Sequence, residues 1–207
     1  MNHLMKYFYD TEFLENGRTI ELISIGIVAE DGREYYAVNA EVNEDGDEQS
    51  LGRRIARHDW LMENVVVHLP LRTEVSRYTS GARNHMPPHL DLRDVQVKPK
   101  WVIANEVREF LLATDGESDE IELWADYAAY DHVVLMQLWG PMINRPSRLP
   151  MWTHDLQFEA KRLGVPHSQF PQREGAEMTE HHALGDARAD KMLFDFLYER
   201  MREQMTS

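Results

Sequence analysis

Residues 4–42 read LMKYFYDTEFLENGRTIELISIGIVAEDGREYYAVNAEV. Three β-prone segments follow one another in it. The first, LMKYFY at 4–9, ends at the dipeptide Asp10-Thr11. The second, TIELISIGIVA at 19–29, is so rich in Ile and Val that it reads as a well-buried strand. Asp31-Gly32 is a two-residue hairpin signal, and REYYAVNAEV at 33–42 supplies a third strand. The chain therefore opens on a three-stranded antiparallel meander.

Working outward, the acidic stretch 43–49 is a loop by composition. Residues 51–63 have helical spacing through Leu51, Ile55 and Trp60. Residues 76–100 combine Gly, Pro, His and Arg with no period. They read as a long loop, and long loops in compact domains are usually functional. An amphipathic helix is expected over 101–113, with Val102, Val107, Phe110 and Leu111 on one face. EIELWA at 120–125 is a strand, and 128–139 a helix stopped by Gly140-Pro141. Trp152–Leu156 contains a short strand, Gln157–Leu163 a short helix ended by Gly164, and Ala183–Met205 a final helix. The order βββ–α–β–α–β–α predicts an α/β fold, a mixed sheet with helices packed on it. A length of 207 residues suits a single domain over 1–207.

With 43% hydrophobic and 28% charged residues the chain is globular rather than disordered. It has no long apolar run, so neither a membrane span nor a secretory signal is expected. Zero cysteines exclude disulfides and thiolate metal sites and fit a reducing cytoplasm. The net charge of −14 argues against gripping nucleic acid by bulk charge. Residues 51–100 depart from this. They carry nine Lys/Arg against five Asp/Glu, a local +4 that leaves −18 elsewhere.

Three sites hold carboxylates of interest. Asp10 and Glu12 stand two apart at a strand end, so the strand's period of two turns both to one face. Like charges so placed repel unless a cation lies between them, although an acid after a strand is also ordinary turn chemistry. Asp131 lies at the start of a helix in AYDHVVL, with Asp126 as its local rival. Asp186 lies about one turn into the last helix, in HHALGDARAD. Acids at both places also suit a helix N-terminus. Together, four acids at strand ends and helix starts offer hard oxygen ligands suited to Mg²⁺ or Mn²⁺. Two such ions suit in-line displacement at phosphorus. A nearby histidine can take the proton from the attacking water.

The pattern Asp10-Thr11-Glu12-Phe13, then Ala129-Tyr130-Asp131, then His181-His182-Ala183-Leu184-Gly185-Asp186-Ala187 resembles the DEDDh 3′→5′ exonucleases. Within that group it looks most like the small actinobacterial exoribonucleases of the mycobacterial polyadenylate-specific type. The resemblance implies a ribonuclease H-like fold with a five-stranded mixed sheet flanked by helices. It implies two divalent cations, Mg²⁺ or Mn²⁺, held by Asp10, Glu12, Asp131 and Asp186, with His181 as general base. It also prefers Asp131 to Asp126 and His181 to His182. Phe13 would pack on the terminal nucleotide, and a homodimer is expected. One departure stands out: many members have Asn four residues before the second-motif Asp, where this chain has Tyr127.

The function expected from these residues is hydrolysis of single-stranded or 3′-overhanging RNA to nucleoside 5′-monophosphates. Arg77 and Arg83, in the 76–100 loop, are candidate phosphate contacts. A DNA exonuclease would use the same metals, and a decayed binding module would have lost at least one of the five motif residues.

Overall fold

The computed structural model describes residues 4–72, 86–112 and 120–206. Its framework is a six-stranded sheet, β1 (Leu4–Glu15), β2 (Ile20–Ala29), β3 (Glu34–Asn39), β4 (Val97–Lys98), β5 (Glu120–Ala125) and β6 (His154–Asp155). The spatial order is β4-β3-β2-β1-β5-β6. The meander is antiparallel, whereas β1–β5, β3–β4 and β5–β6 are parallel, so the two senses meet at β1 and at β3. The mixed sheet and its flanking helices are as expected, but the strand count is six, not five. The additional strand, β4, is two residues that pair only with Val38 and Asn39, too short to leave a period in the sequence.

The first strand is also longer than its β-prone run. It continues through Asp10, Thr11 and Glu12 to Glu15, so the acids lie within a strand and not after one. The ladder to β2 holds them there, pairing Asp10 with Gly26 and Glu12 with Ser24, and shifts register between Glu12 and Phe13. The third strand stops at Asn39, three residues early, because the Asn39 side chain accepts from the Glu41 N–H and starts a 3₁₀ turn.

Two helical layers cover the sheet. On one face lie α3 (Lys100–Leu112) and α4 (Ala129–Gln137), packed on Tyr7, Tyr9, Ile25 and Ile27. The buried stripe of α3 is Ile103, Ala104, Val107 and Leu111. It is rotated slightly from the face expected, leaving Val102 and Phe110 half-buried. On the other face α5 (Leu156–Leu163) and α6 (Ala183–Thr206) pack on Phe8 and Trp124. The single helix expected over 51–63 is two, α1 (Leu51–Ile55) and α2 (Asp59–Asn64). They cover Ile23, Tyr36 and Val38.

A hydrogen-bonded chain ties β1 to the segment before β6. The Tyr9 hydroxyl lies 2.6 Å from Thr153 Oγ1, which lies 2.7 Å from His132 Nδ1, and His132 Nε2 lies 3.1 Å from the Met151 carbonyl. A carbonyl only accepts, so Nε2 carries the proton and Nδ1 accepts from Thr153. The Thr153 oxygen in turn accepts from Tyr9. Burial favours this neutral imidazole by lowering the His132 pKa.

A close backbone contact between helix and sheet lies at Gly26. A Cβ there would stand 2.3 Å from the Leu184 nitrogen and 2.4 Å from the Ala183 carbonyl carbon and oxygen. These are backbone atoms of the first turn of α6, which no rotamer change can move aside. Gly26→Ala is therefore expected to destabilise the fold by about 1–3 kcal/mol through overpacking, read as a lower midpoint in chemical denaturation. An unchanged midpoint would show that α6 does not rest there.

Candidate active site

Asp10 and Glu12 share the face of β1 that meets α6. Gly26, the cross-strand partner of Asp10, lets the first turn of α6 descend onto the sheet beside them. That turn carries Asp186. One oxygen from each of Asp10, Glu12 and Asp186 lies within 4.8 Å of the other two. Glu12 and Asp186 are buried, and Asp10 Oδ2 is buried with no hydrogen-bond partner among the described residues.

Asp131 reaches the same region from the opposite layer. It is buried in the first turn of α4, and its Oδ1 accepts from the Thr11 N–H (2.9 Å) and the Thr11 hydroxyl (2.6 Å). The β1–β5 ladder ends at Phe8–Trp124, so the Thr11 amide is free to take this carboxylate. Asp131 is not one of the three clustered carboxylates, but its charge acts on both Asp10 and Glu12. Its rival Asp126 accepts from Gln157 Nε2 instead.

A fifth acid, Asp190, went unnoticed in the sequence. It stands one helical turn beyond Asp186, is 4% exposed, and accepts from the Asp126 N–H at 3.0 Å. The only trace in the sequence is its i+4 spacing from Asp186, which a solvated helix face shows equally often.

Burial and mutual repulsion raise the pKa values of these groups. Glu12 is pushed up to about 8, by desolvation first and then by Asp186 and Asp131. Asp131 is raised to about 6 by desolvation, against the lowering effect of its two bonds from Thr11. Asp10 and Asp190 are raised well above the carboxylate range, desolvation leading in both. Asp186 has a counter-charge: Arg173 Nη1 donates to its Oδ1. Clustered hard oxygens, with one buried lone pair unsatisfied, fit a divalent cation.

The two histidines differ. His181 precedes α6 in the left-handed region (φ 59°), and the Trp60 ring meets it edge-on with centroids 4.8 Å apart. His182 stacks on Tyr36 at 4.5 Å, and its Nδ1 accepts from the Gly185 N–H at 3.3 Å. It is packed as a helix cap. Tyr127, in the turn between β5 and α4, is the other non-glycine residue with positive φ (48°) among the described residues. Its side chain is 70% exposed. Phe13 packs partly in the core and stacks on Tyr130, with centroids 5.9 Å apart and planes 10° apart. Arg77 and Arg83 lie outside the described residues.

A sequence profile of the 3′-5′ exoribonuclease Rv2179c-like domain matches residues 82–198. The chain is 41% identical over 187 residues to 3′-5′ exoribonuclease Rv2179c of Mycobacterium tuberculosis strain H37Rv, covering 89% of this chain and 88% of that one. The same figures hold for 3′-5′ exoribonuclease MT2234.1 of strain CDC 1551. A solved 3′-exonuclease that recognises the histone mRNA stem-loop aligns at 12% identity and a TM-score of 0.49, over 96% of this chain and 84% of that one.

Carboxylates with raised pKa values bind more protons in the folded than in the unfolded chain, so stability falls as pH rises through the window between. That window runs from the ordinary carboxylate range near ~4 to the Glu12 value of about 8. In chelator, Tm is expected to fall between about pH 5 and about pH 8, and Mn²⁺ to restore most of the loss at the upper end, since it binds the deprotonated form. Asp10→Asn should raise the chelator Tm at high pH and blunt the response to Mn²⁺. A Tm that rises over this range would contradict the shared burial of these acids.

Proposed function

The chain belongs to the Rv2179c-like family of 3′-5′ exoribonucleases, and from that premise we propose a mechanism in which Asp10, Glu12, Asp186 and Asp131 hold two divalent cations, Mg²⁺ or Mn²⁺, and His181 is the general base. The observation that carries it is the convergence of Asp10, Glu12 and Asp186 within 4.8 Å, with a buried, unpartnered oxygen on Asp10. When bound, such ions supply charge neutralisation at the scissile phosphate and a more acidic water.

The residues of the chain do the rest. Asp10 and Glu12 are fixed by the ladder to β2, and Asp186 by the seat of α6 on Gly26. Asp131 is oriented by its two bonds from Thr11, so its other oxygen is the one left for the site. His181 accepts a proton from water as the water oxygen bonds to phosphorus. The bond from phosphorus to the 3′ oxygen breaks, the 3′ oxygen takes a proton from solvent, and a nucleoside 5′-monophosphate is released from a shortened strand that ends in a 3′-hydroxyl. Trp60 lies against the His181 ring and limits its rotation. Phe13 and Tyr130, adjacent in sequence to Glu12 and Asp131, form an aromatic ledge on which a terminal base can stack; such stacking is worth ~1–3 kcal/mol per base.

The substrate we propose is single-stranded RNA or a 3′ overhang, because a chain of net charge −14 is poorly suited to gripping long duplexes. Arg77 and Arg83 are proposed phosphate contacts. A homodimer and a cytoplasmic setting complete the proposal; among the described residues no helix is long and apolar enough to cross a membrane.

Matched RNA and DNA oligonucleotides, single-stranded and blunt, test this reading. Monophosphate release from the 3′ end of single-stranded RNA is expected, with little digestion of blunt duplex. Asp10→Asn should reduce turnover to background, and His181→Ala should lower kcat about 10²–10⁴-fold, with partial recovery at higher pH. Full activity of the Asp10 variant would overturn the assignment.

A further inference from the structure

We propose that Arg173 is a phosphate-gripping residue for the RNA strand, anchored at the rim of the acidic cluster by Asp186; this rests on the site and substrate class proposed above. The starting point is a charge imbalance. A phosphodiester strand must approach a chain of net charge −14 at a point where carboxylates are buried together. The neighbouring charges that act most strongly on Asp10 and Glu12 are acidic. Beyond any bound ion, some cationic group has to meet the strand.

Arg173 is placed to do so. Its Nη1 donates to Asp186 Oδ1, and this is its one hydrogen bond among the described residues. A guanidinium has five N–H donors in a flat fork, and the fork matches phosphate oxygens as well as it matches carboxylates. The Arg173 side chain is 35% exposed and that of Asp186 13%. The guanidinium thus belongs to a partly exposed side chain bonded to a largely buried carboxylate, and one hydrogen bond leaves most of its five donors for another acceptor. Glu180 and Asp190 also attract it toward the cluster. A partly exposed ion pair adds little to stability, so holding the fold together is a weak reason for it.

The backbone that follows Arg173 is clamped to α6. A Cβ on Gly185 would stand 2.6 Å from the Thr179 carbonyl oxygen and 3.3 Å from that of Glu177. Only glycine lets residues 177–179 lie this close to the turn that carries Asp186. Arg188 fastens the same segment, donating to the Glu177 carbonyl at 2.9 Å while pairing with Glu34. Arg173 thus precedes by four residues a segment held against the turn that carries Asp186.

The experiment uses the full chain carrying His181→Ala, which keeps the carboxylates and slows turnover. In Mn²⁺, the affinity for a short fluorescent single-stranded RNA is measured by anisotropy over a range of salt. Adding Arg173→Met is expected to weaken binding about tenfold and to make the slope of log K against log salt shallower by about 0.7, one phosphate contact. Arg173→Lys keeps the charge and should keep the slope, with intermediate affinity. Calorimetric titration with Mn²⁺ alone provides a readout independent of RNA. Removing a nearby positive charge should leave ion binding as tight or tighter. Parental RNA affinity and slope in Arg173→Met would overturn the proposal. Loss of Mn²⁺ binding in that variant would also overturn it, by showing that Arg173 only orients Asp186. Failure of the His181→Ala protein itself to bind RNA would instead remove the substrate reading, before Arg173 is altered.

Discussion

The first turn of α6 touches the sheet at Gly26, backbone against backbone, at a separation that no side chain would permit. The rest of the site follows from that contact. Gly26 faces Asp10 across the ladder, so the helix comes down beside the carboxylates that point to its side. Asp186, three residues along from the contact, arrives within reach of both. Without so small a residue, the helix would ride higher and the three acids would not converge. Gly185 repeats the device on the outer side of the same turn, where a strap of backbone crosses it. The turn is thus sandwiched between sheet and strap, each admitted by a missing Cβ.

Much of this was legible in the sequence because it depends on periods. The two-residue repeat puts Asp10 and Glu12 on one face even though the β-prone run itself ends at Tyr9. The strand runs on to Glu15 because β2 continues to pair with it, and that is a property of the ladder rather than of β propensity. The order of motifs also survived folding, with Asp186 and Asp131 carried on first turns of helices as expected. What escaped were features made by tertiary contact. Asp190 looks like one more acid on an amphipathic helix, and only packing shows that it is buried against the turn after β5. The split of 51–63 into two helices, and the fourth strand of two residues, are decided by long-range pairing and leave too little local pattern to read.

The electrostatics of the interior are arranged against the fold and in favour of its chemistry. Clustered carboxylates, of which Asp186 is paired with an arginine, disfavour the compact chain through their burial and mutual repulsion. The same clustering of hard oxygens fits a divalent cation. Phe8 and Trp124 on one side of the sheet and Tyr9 on the other are buried in its apolar layers. The Tyr9 hydroxyl is directed away from them, toward Thr153 and His132, so it offers no proton to soften their mutual field. Asp10 Oδ2 stays without a hydrogen-bond partner among the described residues, the condition under which an ion is a favourable partner.

Tyr127 has a consequence for how relatives of this chain are found. Its backbone occupies the left-handed region, which asparagine visits readily and tyrosine does not. An asparagine here would fit the backbone path that Tyr127 takes, with the Tyr127 ring left in solvent. A tyrosine at this position is a matter of backbone tolerance, and Asp131 keeps its place in the first turn of α4. A search pattern that insisted on asparagine would discard this branch while every acid it was built to detect was still in place.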